Sequence, residues 1–560
     1  MGLMVEPCAG AGRSESQPIQ VDVLVVGFGP VGAVVANLLG RYGVRTLVVD
    51  KATEIFVAPR AIALDNEALR VLQLAGLDDD AFAKSPIPYV RMRSPQLGEF
   101  GRVNTLGSID GHPKLVTFYQ PELERVLRDA LQAYPSVDTM LGVRLEGLES
   151  NAKSNTDGVA AALILPNGEQ LTVHARYLVG ADGASSLVRQ IIGQEFKGKT
   201  FAEDWLIVDA RNVAKPIDHV EFLCDYRRPT PHMTAPGGRE RWEFMLRHGE
   251  TREQMESDAS IRELLAPWGG PERMEIERRA VYRFHARCAD AFSKGPVFLV
   301  GDAAHITPPF VGQGLVAGLR DAANLCWKLA WVVHGRASAG ILDSYDRERR
   351  PHAKAMIRLA QFMGKLVMPR NAGVAMLTHG FMRLTRLIPG LREYIEELGI
   401  KPKNAYAQGL FVRGKGGKRL RRGAMLPQGW LRDARGGVDR SDEALGSQLS
   451  LIGFGADPGA WLDSATRAAF ETAGGRMLQI AQSGRLNPAA GAGRTPVWED
   501  LNGSFLPAVV PHGWAAVVRP DGFVMHDGPI AAVDRLVRES LTLLGASQAT
   551  QASARMEVPA

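Results

Sequence analysis

Two stretches of this 560-residue chain hold residue types whose spacing can bind and polarise a ligand. One is Gly301-Asp302-Ala303-Ala304-His305, followed by Pro308-Pro309 and Gly312-Gln313-Gly314. A Gly-rich loop that enters a helix offers unpaired backbone N–H groups and the positive end of a helix dipole. Asp302, at a strand end, can accept from the hydroxyls of a polyol. The other is Gly27-Phe28-Gly29-Pro30-Val31-Gly32, with Asp50 23 residues beyond Gly27 and Lys51 beside it. Gly27 permits a tight turn, Gly29 lets a pyrophosphate approach the backbone, and Gly32 allows close helix–strand packing. Asp50 can bind the hydroxyls of an adenosine ribose. The second stretch alone fits NAD or FAD. A flavin adds the polyol and the polarised carbonyl edge that the first stretch would bind, so the pair favours FAD.

Periodicity supplies the elements that must position these residues. Val21–Val26 reads as a strand, Ala33–Tyr42 as a helix and Val44–Val49 as a second strand ending at Asp50, a complete βαβ unit. Val297–Val300 is a short apolar strand. From Leu315 the apolar positions Leu319, Ala322, Ala323, Cys326, Leu329, Ala330 and Val333 recur at helical spacing. Gln120-Pro121-Glu122-Leu123 opens a helix that runs to about Ala133, and another helix is expected around Asn66–Leu74. Tyr177–Gly180 leads into Ala181-Asp182-Gly183, with Ser185, Ser186 and Arg189 after it; Asp182 can cap a helix or face a ligand. Residues 200–284 change to strands and turns, and Arg241-Trp242-Glu243-Phe244-Met245-Leu246 alternates. A sheet inserted there would cover a bound ring. His232 and Arg241, with Phe222, Tyr226 and Trp242, are its pocket candidates. Pro351 is expected to kink or restart a helix. Residues 405–423 read as a solvated basic linker. Beyond it, the strand Leu449–Phe454, a hairpin around Pro520-Asp521-Gly522 and a helix over Ile530–Leu544 suggest a separate small domain.

Composition excludes several classes. Hydrophobic residues at 45% and charged residues at 23% belong to an ordinary globular chain. The net charge is +5, with basic and acidic residues interspersed, which suits small anionic ligands and not nucleic acid. Cys8, Cys224, Cys288 and Cys326 form neither a CxxC pair nor a metal-ligand cluster, which points to a reducing cytoplasm and no metal centre. Residues 1–20 lack a signal-peptide pattern. The apolar run Val21–Leu39 is broken by Gly27, Gly29, Pro30 and Gly32, so a strand-turn-helix fits better than a membrane span.

The order GxGxxG, GADGxxSxVR, GDAAH, PP, GxG and DAxNLxWKL resembles the motif set of the class A flavoprotein monooxygenases, the aromatic hydroxylases. The resemblance covers about Val21 to Leu544. Val316 departs from it, because the family usually has Asn there; its backbone N–H, the family's main flavin contact at that position, is retained. The resemblance implies an α/β fold with a Rossmann-like FAD-binding domain of the p-hydroxybenzoate hydroxylase type, an interleaved β-sheet substrate domain and a C-terminal thioredoxin-like domain. It implies FAD contacts from Gly27, Gly29, Pro30, Gly32, Asp50, Lys51, Arg60, Gln120, Asp182, Gly301, Asp302, Pro308, Gly312, Gly314, Leu315 and Val316. Gln120 either lies near the flavin or caps its helix, and His305 is either structural or catalytic. The implied reaction uses NADH or NADPH and dioxygen to hydroxylate a phenolic acid, such as 3-(3-hydroxyphenyl)propionate or 3-hydroxycinnamate, ortho to its hydroxyl.

The expected domains are a tail at 1–20; an FAD-binding domain from 21–84, 112–199 and 281–400; a substrate domain from 85–111 and 200–280; a thioredoxin-like domain at 405–545; and a tail at 546–560. A homodimer is the expected assembly. The alternatives are a polyketide or other polycyclic-phenol hydroxylase, and a flavin-binding protein without enzyme activity. The WxWxIP motif of flavin halogenases is absent.

Overall fold

The computed structural model describes residues 18–57, 60–149, 158–269, 271–397, 399–414, 420–485 and 495–545. The two expected tails (apart from Pro18, Ile19 and Gln20), Ala58 and Pro59, and Lys415 to Arg419 of the basic stretch lie outside the described residues.

The first sheet is built on β1 (Ile19–Val26), β2 (Thr46–Asp50) and β3 (Gln170–Gly180). β1 pairs in parallel with both others, and Val137–Leu141 adds a parallel strand outside β2. The start of β3 pairs antiparallel with Val159–Ile164, and its end pairs in parallel with β7 (Val297–Leu299). Near-continuous runs of buried Val, Leu and Phe make these strands, as a sheet covered on both faces requires. Register decides the function of this sheet. Val26 lies opposite Gly180, and Gly180 opposite Leu299, so all three motif loops leave the same carboxyl edge side by side. Ligands of open parallel sheets bind at that edge.

Four helices matter to the site: α1 (Pro30–Arg41), α2 (Gln120–Ala130), α3 (Gly314–Val333) and α4 (Ser344–Val367). α1 starts at Pro30 rather than Ala33, because proline's fixed φ and missing N–H suit the first helical turn. Pro351 does not break α4, which runs through it. The Arg350–Asp346 ion pair and the Arg347 bond to the Asp343 carbonyl brace the turn that lacks a backbone bond.

The second sheet has eight strands in the order 305–306, β6 (Glu275–Ala289), β4 (Phe196–Arg211), β5 (Arg239–Met245), 230–235, 220–223, 89–94 and 98–104. One face packs Leu206, Val208, Trp242 and Phe244 against Met255, Ile261 and Leu265. The other packs Met92, Trp205 and Cys224 against Phe310 and Val367. Phe310 follows Pro308-Pro309, so this second face looks toward the flavin motifs.

The C-terminal sheet pairs Leu449–Phe454 in parallel with Gly475–Gln482 across the helix Ser464–Thr472. The hairpin Trp514–Val518/Val524–Pro529 and the helix Val533–Leu544 complete it, the order that a thioredoxin-like unit requires. It has an apolar core of its own around Leu431, Ile452, Phe454, Leu478 and Phe505, and it also packs against the FAD-binding part. Leu449, Leu451, Phe470, Val517 and Leu536 belong to the same apolar cluster as Trp327 and Trp331 of α3. The cause is α3 itself, which is buried along nearly its whole length and needs a cover on the side away from the motifs.

Candidate active site

At the nucleotide end, Gly27 has φ +107°, and a Cβ there would collide with the carbonyl of Ala181. Glycine is thus what lets the GxGxxG turn pass against the Asp182 loop. A Cβ on Gly29 would meet nothing within 4 Å, so this face of the turn is open to a ligand. α1 has no side-chain N-cap, which leaves its first N–H groups for an anion. Asp50 braces the turn: Oδ2 accepts from the Phe28 N–H at 2.6 Å and Oδ1 from the Ala52 N–H at 2.8 Å. Lys51 is exposed beside it. Arg128 of α2, absent from the sequence reading, donates to the Phe28 carbonyl at 2.8 Å and lies over the Phe28 ring at 4.5 Å. No local signal marks it, because the contact spans 100 residues.

At the ring end, a Cβ on Gly301 would stand 3.1 Å from Val31 Cγ2, and one on Gly318 2.6 Å from the same atom. α1 and α3 therefore cross with the Gly301 loop between them. Asp302 is 37% exposed and lies 4.0 Å from the guanidinium of Arg60, itself 62% exposed. Burial raises the Asp302 carboxyl above its ordinary range, with Arg60 and His305 acting against that. Gln120 does not cap its helix; its Oε1 accepts from the N–H groups of Arg60 and Ala61 at 3.1 and 3.0 Å. Asp182 Oδ2 accepts from Val188 N–H at 3.1 Å, while Oδ1 is buried with no partner among the described residues. The cap of the following helix is Ser186. Arg189 bonds the carbonyls of Ala303 and Ala184, both at 2.9 Å, which ties two motif loops together.

Pro308 to Gly312 fold into a tight turn, with Gly312 at φ +61°. α3 then begins at Gly314 with no side-chain cap and no acidic residue in its first turn. The N–H groups of Gly314, Leu315 and Val316 are those that an anionic or polarised group would meet. Val316 buries its side chain in the core, so the missing Asn costs only a side-chain contact. The two uncapped helix starts, the open face at Gly29, the half-buried Asp302 and the unpartnered oxygen of Asp182 fit FAD.

Three expected residues have other places. His305 is fully buried: Nε2 pairs with Asp321 Oδ2 at 2.7 Å, and Asp321 also binds the Gly301 N–H at 3.1 Å and Arg349 at 2.9 Å. Burial would raise Asp321, but His305 and Arg349 hold it below the usual carboxylate range. His305 is thus tied through Asp321 to the Gly301 loop, while its Nδ1 is buried with no partner among the described residues. His232 stacks on Trp242, with ring centroids 4.6 Å apart, and pairs with Glu240 on the face away from the motifs. The alternation of β5 turns Trp242 to that face and carries its neighbour His232 with it. Arg241 faces the motifs but is held by Asp209, at 2.6 and 3.0 Å, and donates to the Arg60 carbonyl at 3.1 Å. These contacts anchor the Arg60 loop. Of the aromatic candidates, Phe222 lies on the motif face. Sequence reading also missed Phe310, whose ring meets Trp205 at 5.9 Å and Phe284 at 6.1 Å.

Residues 20–360 match the family described as FAD binding domain, and residues 423–543 match the HcaD C-terminal domain. This chain belongs to the class A FAD-dependent aromatic hydroxylases. It is 38% identical over 524 residues to 3-(3-hydroxy-phenyl)propionate/3-hydroxycinnamic acid hydroxylase 2 of Burkholderia vietnamiensis, covering 90% of this chain and 93% of that one. A Klebsiella pneumoniae 3-(3-hydroxy-phenyl)propionate/3-hydroxycinnamic acid hydroxylase is 35% identical over 507 residues, with 90% and 91% covered. The fold is shared with the flavin-dependent monooxygenase PieE, solved with FAD and substrate, at TM-score 0.78 and 22% identity over 94% of this chain and 100% of that one. It is also shared with aklavinone-11 hydroxylase, at TM-score 0.73 and 22% identity over 94% and 100%.

As a class A hydroxylase the chain is an FAD-dependent monooxygenase. When bound, FAD supplies the transfer of reducing equivalents from a nicotinamide donor to dioxygen. The protein's share is to seat the cofactor, hold the aromatic ring against it and exclude water. Among the described residues no helix is long and apolar enough to cross a membrane, and no group of His, Cys, Asp and Glu could hold a metal ion.

Proposed function

We propose that this hydroxylase converts a phenol with a short acidic side chain, 3-(3-hydroxyphenyl)propionate or 3-hydroxycinnamate, into the corresponding catechol, using NADH or NADPH and dioxygen. The observation that carries this reading is 34–38% identity, over 90% of the chain, to relatives named for those two substrates. The apolar face around Trp205, Phe222, Phe284 and Phe310 supports it as a seat for one aromatic ring. The residues proposed to hold FAD are Gly27, Gly29, Pro30, Gly32, Asp50, Lys51, Arg60, Gln120, Asp182, Gly301, Asp302, Pro308, Gly312, Gly314, Leu315 and Val316. A cytoplasmic location accords with the three buried free thiols Cys224, Cys288 and Cys326. A homodimer accords with exposed Leu377, Phe381 and Leu384, spaced along one side of the helix Ala372–Thr385.

The test measures NADH oxidation and oxygen uptake with and without catalase, and identifies the product. 3-(3-Hydroxyphenyl)propionate should accelerate NADH oxidation and give a catechol. Stimulation by a polycyclic phenol alone would replace this reading with the polyketide-hydroxylase one. Tight FAD binding with no stimulation by any phenol would leave a flavin-binding protein. Sedimentation should give the mass of two chains, and a single-chain mass would remove the dimer.

A further inference from the structure

Glu243 sits at the centre of the motif-facing side of β5. Two residues before it, Arg241 reaches the Arg60 carbonyl; two residues after it, Met245 packs in the cluster that contains Phe310. Side chains alternate along a strand, so Arg241, Glu243 and Met245 share one face. Glu243 therefore lies on the face of the sheet that meets both the loop carrying Arg60 and the loop carrying Phe310. Those two loops hold residues proposed above to contact FAD. Directly across the strand pair lies Ile207, flanked by Trp205 and Asp209.

The carboxylate is 6% exposed, and no hydrogen bond or ion pair reaches it from the described residues. Buried carboxylates without partners are costly, and evolution tolerates them chiefly where chemistry needs them. The charged groups around it are few. Its own strand supplies Arg241, β4 supplies Asp209 and β6 supplies Arg278. Arg241 and Arg278 are both drawn to Asp209. Burial lifts the Glu243 carboxyl above its ordinary value, Arg241 and Arg278 lower it and Asp209 raises it, with burial prevailing. A lifted carboxylate is a stronger base. The histidines considered for this role are occupied: His305 by Asp321 and His232 by Glu240 on the opposite face.

We infer that Glu243 is the base that takes the proton of the substrate's phenolic hydroxyl. The inference rests on the aromatic-hydroxylase reading above. In this step the phenol O–H bond breaks and the proton passes to a Glu243 carboxylate oxygen. The electron pair stays on the phenol oxygen and conjugates into the ring, which makes the ortho carbon nucleophilic. Dioxygen and the reducing equivalents are those of the hydroxylase reaction, so the step needs no further reactant.

The experiment compares wild type, Glu243→Gln and Glu243→Asp as full-length, FAD-loaded proteins. The readouts are bound FAD, product per NADH across pH, and the affinity ratio of 3-(3-hydroxyphenyl)propionate to 3-phenylpropionate. Wild-type product yield should rise with pH and level off once Glu243 is ionised. E243Q should keep its FAD, lose about 100-fold in the hydroxylation step and show a yield that rises until the phenol itself ionises. Its preference for the hydroxylated ligand should fall several-fold, and E243D should restore part of both losses. A wild-type profile and ligand preference in E243Q would overturn the inference. So would loss of FAD in both variants with an unchanged pH profile, which would mark a scaffold residue. If wild type hydroxylates no phenol at all, the hydroxylase reading falls first and this inference falls with it.

Discussion

Glu348 of α4 is fully buried and accepts five hydrogen bonds, whereas Glu243 is almost as buried and accepts none among the described residues. Around Glu348 stand Asn324 at 2.6 Å and Lys328 at 2.8 Å from α3, the Leu410 N–H at 2.8 Å, and Arg519 of the C-terminal sheet at 2.8 and 3.1 Å. Arg519 also lies against the rings of Tyr406 and Phe523. This cluster fastens the C-terminal unit to the helix whose first turn faces the flavin. The cluster at Glu243 has the opposite construction: Arg241 and Arg278 both turn to Asp209, and Glu243 is left without a direct ion pair among the described residues. A saturated charge cluster makes a joint, and a buried carboxylate without a direct partner is the construction of a reactive group.

The comparison breaks most visibly at the joint. Glu348→Ala leaves Lys328 and Arg519 buried without their shared anion, a loss expected at about 3–5 kcal/mol. Thermal unfolding should drop sharply, and limited proteolysis should release fragments near residue 408 before the FAD-binding part is cut. An unchanged melting temperature would mean that apolar packing alone holds the two units. The C-terminal unit has no cysteine and so cannot exchange thiols, and the hydroxylation product is expected not to depend on its sequence.

Acid gives a graded version of the same break. Burial opposes the charge on Glu348, but Arg519 and Lys328 pull its carboxyl down to about 2. Burial also pulls Lys328 down to about 8 despite Glu348, so the carboxylate sets the acid response. A depressed carboxyl contributes stability that is complete above its unfolded value, about 4.3, and is lost as pH falls toward 2. The contribution at stake is roughly 3 kcal/mol. Denaturant midpoints should therefore fall between about pH 4.5 and 2 in wild type, and fall less in Glu348→Gln.

The next effect lies on the cofactor. Asp302→Ala removes the half-buried carboxylate beside Arg60, and FAD affinity should weaken by about 1.5–3 kcal/mol, the worth of one charge-assisted hydrogen bond. Flavin fluorescence during titration of the apoprotein checks this. Unchanged affinity would put the polyol elsewhere.

What the sequence disclosed follows from the range of each interaction. The βαβ unit, the helix Asn66–Leu74 and the strand Leu449–Phe454 were legible because periodicity and glycine spacing are local. The loops at Gly27, Asp182 and Gly301 were legible as flavin motifs, and parallel register brings them to one edge. The partners of Arg241 were not, since Asp209 lies 32 residues away and the Arg60 carbonyl 181. Alternation in Arg241–Leu246 announces two faces without saying which one meets the flavin. Glu243 was passed over for that reason. Likewise, nothing near Glu348 points to Arg519, 171 residues on, so the packing of the C-terminal unit against α3 and α4 was not legible.

The smallest expected effect has the opposite sign, and it is the sharpest test of the comparison. Glu243 is an acid whose carboxyl is raised by burial in the folded chain. Above its unfolded value of about 4.3, the unfolded chain holds the charged form more comfortably than the folded one. Its contribution at neutral pH is therefore destabilising, and it vanishes at pH values where both states are protonated. Glu243→Gln should raise the melting temperature slightly at pH 7 and leave it unchanged near pH 3, where both states are protonated. Glu348→Gln should lower it at pH 7 and lose most of its effect only toward pH 2. Calorimetry of the two variants at these three pH values reads both slopes. If Glu243→Gln destabilises at pH 7, the carboxylate has a partner that the fold depends on, and the two clusters are of one kind. If it stabilises while hydroxylation fails, stability has been given up at this position for a reactive acid.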